Sequence, residues 1–219
     1  PKTFAVRLKK GNVKAAPIKN IPLQLPFNSK AFTPENFGYT VSFDKKGNSF
    51  AAELIGDKVT CDNITFSIAD HENKNVIKCK GDTIQLPKEA AGKKLYILAA
   101  STDKDRKSTF LVNGKSHEFE IPYYSGFYGQ WGHKGVSDGY IRNASLAYIG
   151  SHRHTEKGND TYIYTYMYKL GIELPQEAHT LVLPKDENIA VFAITLSDNY
   201  IDDISTANEM RTLPLEVSK

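Results

Sequence analysis

The sequence predicts an all-β chain folded as a two-sheet antiparallel sandwich of the jelly-roll type. Three observations predict it. Apolar residues recur with period two in about ten short segments. Turn-forming residues separate those segments. No stretch of helical length carries a 3.6-residue apolar stripe, so helix is expected only as short pieces, near 34–37 and 202–210. The chain has 219 residues, and all-β sandwiches often run to roughly 200–250 residues as one unit. Leu, Ile, Val and Phe supply 54 of them. That is about a quarter, above the roughly 20% below which chains tend to be disordered.

The segments follow in order. Residues 38–43 read as a strand, closed by the turn Asp44-Lys45-Lys46-Gly47. Strands at 63–69 and 75–80 are joined through 70–74, and one at 83–86 stops at Pro87. Residues 94–101 are strongly apolar and read as a central strand. The segments 108–112 and 115–121 flank Asn113-Gly114, a pair that supplies the positive φ of a type I′ hairpin turn. Strands at 144–151, 162–170, 180–183 and 189–196 complete the set. Tyr162, Tyr164, Tyr166 and Tyr168 should line one face, since a strand alternates its side chains.

Composition removes several function classes. Lys and Arg number 28 against 25 Asp and Glu, a net charge of +3. That balance does not suggest a nucleic-acid partner, and no motif supports one. No apolar run exceeds six residues, the length reached at 95–100, whereas a membrane helix needs roughly 20. No signal-peptide core appears. Cys61 and Cys79 lack zinc-site spacing. They read either as two buried thiols or as one disulfide between neighbouring strands, which needs an oxidising compartment.

The ends differ from the middle. Residues 1–34 carry seven Lys or Arg and no acid. With Pro17, Pro22 and Pro26 interleaved, they read as a solvated linker after a strand at 3–8. The alternative is a protein-interaction module in which a basic arm, residues 1–20, meets an acidic partner. The expected division is 1–20 as strand and linker from a preceding domain, 21–197 as the sandwich, and 198–219 as a surface-wrapping tail. The chain opens on Pro1 rather than Met, which reads as one domain cut from a longer polypeptide.

Residues 123–168 hold 11 of the 24 aromatic residues. Sugar rings stack their C–H faces on aromatic rings, while their hydroxyls need polar partners. Tyr124, Tyr128, Gln130, Trp131, His133 and Arg142 are therefore candidate glycan contacts, with His152 and His154 beside them. The alternative is that these aromatics close one end of the sandwich. His152 and His154 point to one face of a strand. Two imidazoles can ligate Zn²⁺ or Cu²⁺ if further ligands join, and His133 and Asp160 are the sequence candidates. Otherwise Arg153 faces the other way onto a carboxylate and the histidines bond backbone. Asp44, Gly47 and Asn48, with Glu53 beyond, resemble an oxygen-rich Ca²⁺ turn but lack EF-hand spacing, so a plain turn is the better reading. No hydrolase, metalloprotease or phosphate-loop motif occurs. A glycosidase carboxylate pair, such as Asp138 with Asp160, is not singled out.

Several ordered blocks resemble the C-terminal β-domain of bacterial α-mannosidases of glycoside hydrolase family 38. They are Leu25–Asn28, Asp44–Leu54, Leu98–Asp103, Ile121–Gly126, Gly129–His133 and Gly150–His154. The spread covers about residues 21–197, and residues 3–8 are similar to the closing strand of the preceding β-domain. The resemblance implies a galactose-binding-like jelly roll in a periplasmic or secreted protein. It implies a non-catalytic accessory domain whose partner is the catalytic domain of the same polypeptide, with mannose-containing glycan as a further contact. Zinc and the carboxylate nucleophile would belong to that catalytic domain, so no catalytic residue or cofactor is assigned to this chain. The first turn carries fewer acids than the pattern, which weakens any Ca²⁺ site at Asp44, Asn48 and Glu53. The other reading is a free-standing metal-binding protein or metal-dependent enzyme using the His-x-His strand.

Overall fold

The computed structural model describes residues 18–35, 41–126 and 144–198, and the backbone alone at 129–130 and 140–141. The described chain is a β-sandwich. Its strands are β1 (Asn20–Pro22), β2 (Phe32–Thr33), β3 (Ser49–Ala51), β4 (Lys58–Cys61), β5 (Ile64–Ser67), β6 (Ile77–Lys78), β7 (Thr83–Gln85) and β8 (Lys94–Ser101). They continue as β9 (Arg106–Val112), β10 (Lys115–Ile121), β11 (Gly129–Gln130), β12 (Tyr140–Ile141), β13 (Ser145–Thr155), β14 (Gly158–Glu173), β15 (Thr180–Val182) and β16 (Ile189–Ser197). An eight-stranded sheet runs β1-β16-β8-β14-β13-β3-β2, with β6 also on β16. A four-stranded sheet runs β10-β9-β15-β7. The hairpins β4-β5 and β11-β12 stand apart, so the two expected sheets are accompanied by two ribbons. Among the named strands, pairing is antiparallel except between β2 and β3.

β8 explains how the layers divide. Its eight residues are all buried. Tyr96, Leu98 and Ala100 join one core with Phe32, Phe50 and Phe192. Leu95, Ile97 and Ala99 join a second with Phe110, Leu181 and Ile194. A strand covered on both faces has no polar side to show, hence its unbroken apolar run. The second core lies between the eight- and four-stranded sheets, because Phe110 and Leu181 come from β9 and β15.

Local signals placed other elements well. Asn113 and Gly114 turn β9 into β10 with φ of 49° and 81°, as the type I′ geometry requires. Other expectations are corrected. Val41–Phe43 is not strand, and residues 38–40 lie outside the description. β3 and β4 had no counterpart in the sequence reading. β4 meets β5 through Asp62 and Asn63, both at positive φ. Helix is limited, among described residues, to 3₁₀ turns at Ala52–Leu54 and Lys88–Ala90. Residues 36–37 and 202–210 lie outside the description, as do the strand at 3–8, the basic arm and the tail beyond 198. The tyrosines do not form one uniform face. Tyr166 and Tyr168 are buried neighbours, but Tyr162 is 82% exposed. The register of β13 on β14 slips between Gly150 and His152, and Tyr162 takes φ of 65° there. A bulge of this kind breaks the period-two alternation.

Candidate functional site

β13 carries Ser151, His152, Arg153 and His154, and it is paired with β14 on one side and β3 on the other. Arg153 opposes Phe50 and His154 opposes Ser49 across β3. β3 runs straight into the 3₁₀ turn Ala52–Leu54, which presents Glu53. Glu53 Oε1 lies 2.9 Å from Nε2 of both His152 and His154. The imidazoles stack with ring centroids 5.4 Å apart and 30° between planes. An ionised carboxylate only accepts, so in this arrangement each Nε2 carries the proton and donates. Arg153 faces the other way and binds Asp160, with Nε and Nη2 at 2.8 and 2.7 Å from Oδ2. Asp160 is thus the arginine's partner, and the third member of the histidine group is Glu53.

The site is only partly wet. The side chains of His154, His152 and Glu53 are 5%, 15% and 28% exposed. Burial pushes the Glu53 carboxyl upward, but its own backbone N–H and the two histidines outweigh that, and it sits below the usual range. Tyr148 lies close enough that burial first, and the Glu53 charge second, hold its phenol strongly toward the neutral form.

Glu53 also lines a cleft of about 1100 Å³. Phe32, Val41 and Ile68 give it apolar surface. Glu35, Glu53, Asp57, Asp70 and Glu72 contribute carboxylates against one lysine, Lys30, among the described residues. His71 lies in the same wall with its ring 4.7 Å from that of Phe32. Burial lowers its basicity, partly opposed by Asp70. Apolar surface with a few polar groups is the usual make-up of a small-ligand site.

The other candidates fall in different places. Tyr124 is fully buried, with ring contacts to Phe43 and Phe50 and its hydroxyl 2.9 Å from Asp44 Oδ2. It is a core residue and offers no face to a sugar. Tyr128, Trp131, His133, Asp138 and Arg142 lie outside the described residues, and Gln130 is described only as backbone of β11. Asp44 and Asn48 are bonded to each other. Asp44 Oδ1 accepts the N–H groups of Lys46 and Asn48, and Oδ2 accepts Asn48 Nδ2. With Tyr124 added, four donors occupy that carboxylate, as in a plain Asx turn. No disulfide joins Cys61 to Cys79. Cys61 Sγ lies 3.3 Å from Asp62 Oδ2, and Cys79 is buried in the second core, where its thiol is pushed strongly upward by burial.

Glu53 is the residue that sequence reasoning misplaced. It lies 99 and 101 positions from the two histidines, and no local pattern links them. Among curated proteins none matches this sequence. The model of the AziU2-like β-sandwich domain matches residues 19–200, most of the chain. The match spans every strand named above, and the chain belongs to the AziU2-like β-sandwich domain family.

Proposed function

We propose that this β-sandwich is a non-catalytic accessory domain of an α-mannosidase-type glycoside hydrolase, supporting the catalytic domain of its own polypeptide and contacting mannose-containing glycan. One observation carries the reading. Sequence blocks that resemble the mannosidase C-terminal domain, though far apart in the chain, are neighbours in space. Asp44 and Glu53 come from one block, and Tyr124, from a second, bonds Asp44. Ser101, from a third, pairs its backbone with Pro122 and Tyr124. His152 and His154, from a fourth, sit on Glu53. Residues that depend on one another for partners go together as a set, which is what a shared fold with a shared site needs.

The cleft beside Glu53 suits a hydroxyl-rich ligand. Carboxylates accept hydrogen bonds from hydroxyls, and apolar surface meets the C–H faces of a sugar ring. Zinc and the nucleophile implied by the resemblance belong to the catalytic domain. The test is the complete polypeptide assayed on an aryl α-mannoside, with calorimetry of this chain against methyl α-mannoside and mannobiose. Hydrolysis by the complete polypeptide is expected. Absence of hydrolysis sinks the mannosidase reading, and absence of binding heat removes the glycan contact while leaving the supporting role.

A further inference from the structure

We propose that Glu53, His152 and His154 form a three-ligand site for a divalent transition-metal ion, with Zn²⁺ as the fitting probe. The ligand atoms of these three side chains all lie within 4.8 Å of one another. Two ligands about 2.1 Å from one ion in tetrahedral arrangement stand about 3.4 Å apart. Each Nε2 is 2.9 Å from Glu53 Oε1, so each carboxylate–imidazole pair opens by about half an ångström to admit the ion, and the two Nε2 atoms, within 4.8 Å of one another, turn to meet it.

The scaffold holds the donors in place. β13 is paired on both sides at His154. Arg153, between the histidines, is tied to Asp160 on the opposite face. Ser151 Oγ is 3.4 Å from His152 Nδ1 and within reach to orient that ring. Rigid strands with outer partners are what keep metal ligands aligned.

Binding exchanges hydrogen bonds for coordination. Each imidazole carries its proton on Nδ1 and turns the Nε2 lone pair to the ion, while Glu53 remains the anionic ligand. Two nitrogens and one oxygen suit zinc and its first-row neighbours; Ca²⁺ and Mg²⁺ prefer all-oxygen shells. Glu53 also lines the acidic cleft, so an ion held there sits at its wall. The surrounding carboxylates raise the local cation concentration. Three protein ligands leave a fourth position for water or a hydroxyl of a ligand in the cleft.

Calorimetry and competition with a chromogenic chelator, using chelator-treated protein and Zn²⁺ alone, test this without reference to any sugar. One saturable equivalent is expected, with no matching Ca²⁺ binding. Glu53→Gln keeps the shape and His152→Ala alters the more exposed ring. Each should weaken Zn²⁺ binding by more than the roughly 10–100-fold that loss of an outer partner costs. Circular dichroism checks that both variants are folded, and Co²⁺ absorption reads the ligand geometry in the wild type. No Zn²⁺ binding by the wild type, or equal affinity in both folded variants, overturns the proposal. Failure of the mannoside experiments would leave it standing.

Discussion

Asp44 is 3% exposed, yet its carboxylate meets four donors from Lys46, Asn48 and Tyr124. The turn from 44 to 48 is therefore organised around a single buried anion. Tyr124 depends on it in return: burial, and then the Asp44 charge, drive its phenol far from ionisation. Asp44→Ala leaves donors without this acceptor, at about 1–3 kcal/mol for each one that water does not reach. A loss of roughly 2–4 kcal/mol in urea unfolding is expected. Tyr124→Phe removes only one hydroxyl and should cost about 1.5–3 kcal/mol, since its acceptor is charged. A smaller loss in Asp44→Ala than in Tyr124→Phe would contradict this ranking. Asp44 was legible as a turn residue because Asx turns are local, but its bond to Tyr124 spans 80 positions.

At the scale of elements, β13 and β14 decide the site. Their register slips between Leu146 and Tyr148 and again between Gly150 and His152. Strand existence was readable from period two, but bulges were not, since an extra residue leaves hydrophobicity almost unchanged while reversing the faces beyond it. Gly150 marks the second slip. A Cβ there would meet Thr165 Oγ1 at 2.4 Å and Tyr148 Oη at 2.9 Å. Gly150→Ala is expected to destabilise by about 1–3 kcal/mol, the range for overpacking. Thermal melts check the stability. Because Gly150 lies one residue before Ser151 and two before His152, the same variant should also weaken Zn²⁺ binding.

For the molecule as a whole, Arg106 links two stretches far apart in sequence. It binds Asp103 through Nε and Nη2 and Asp186 through Nη1. Hydrogen bonds from Arg106, opposed by slight burial, pull Asp103 down to about 2. An unfolded Asp titrates near 3.9. A carboxylate depressed in the folded state gives stability that is fully present above about pH 4 and is lost as pH falls toward 2. Asp103 is 37% exposed, so solvent screening keeps the contribution small. Arg106→Gln should move acid unfolding, followed by circular dichroism, to higher pH. An unchanged acid midpoint would show that the pair contributes nothing.

Short-range patterns in the sequence are enough for the all-β class, the central strand β8 and the Asn113-Gly114 hairpin. Each is a short-range property: apolar alternation, an unbroken apolar run, and a dipeptide suited to positive φ. Strand alternation also places His152 and His154 on one face and turns Arg153 away. That Glu53, rather than Asp160, completes the histidine group, and that Tyr124 is core, emerges only from the folded chain. Those outcomes depend on sheet register and on how β3 lies against β13. Register is settled by packing summed over both cores, and no window of neighbouring residues contains that sum.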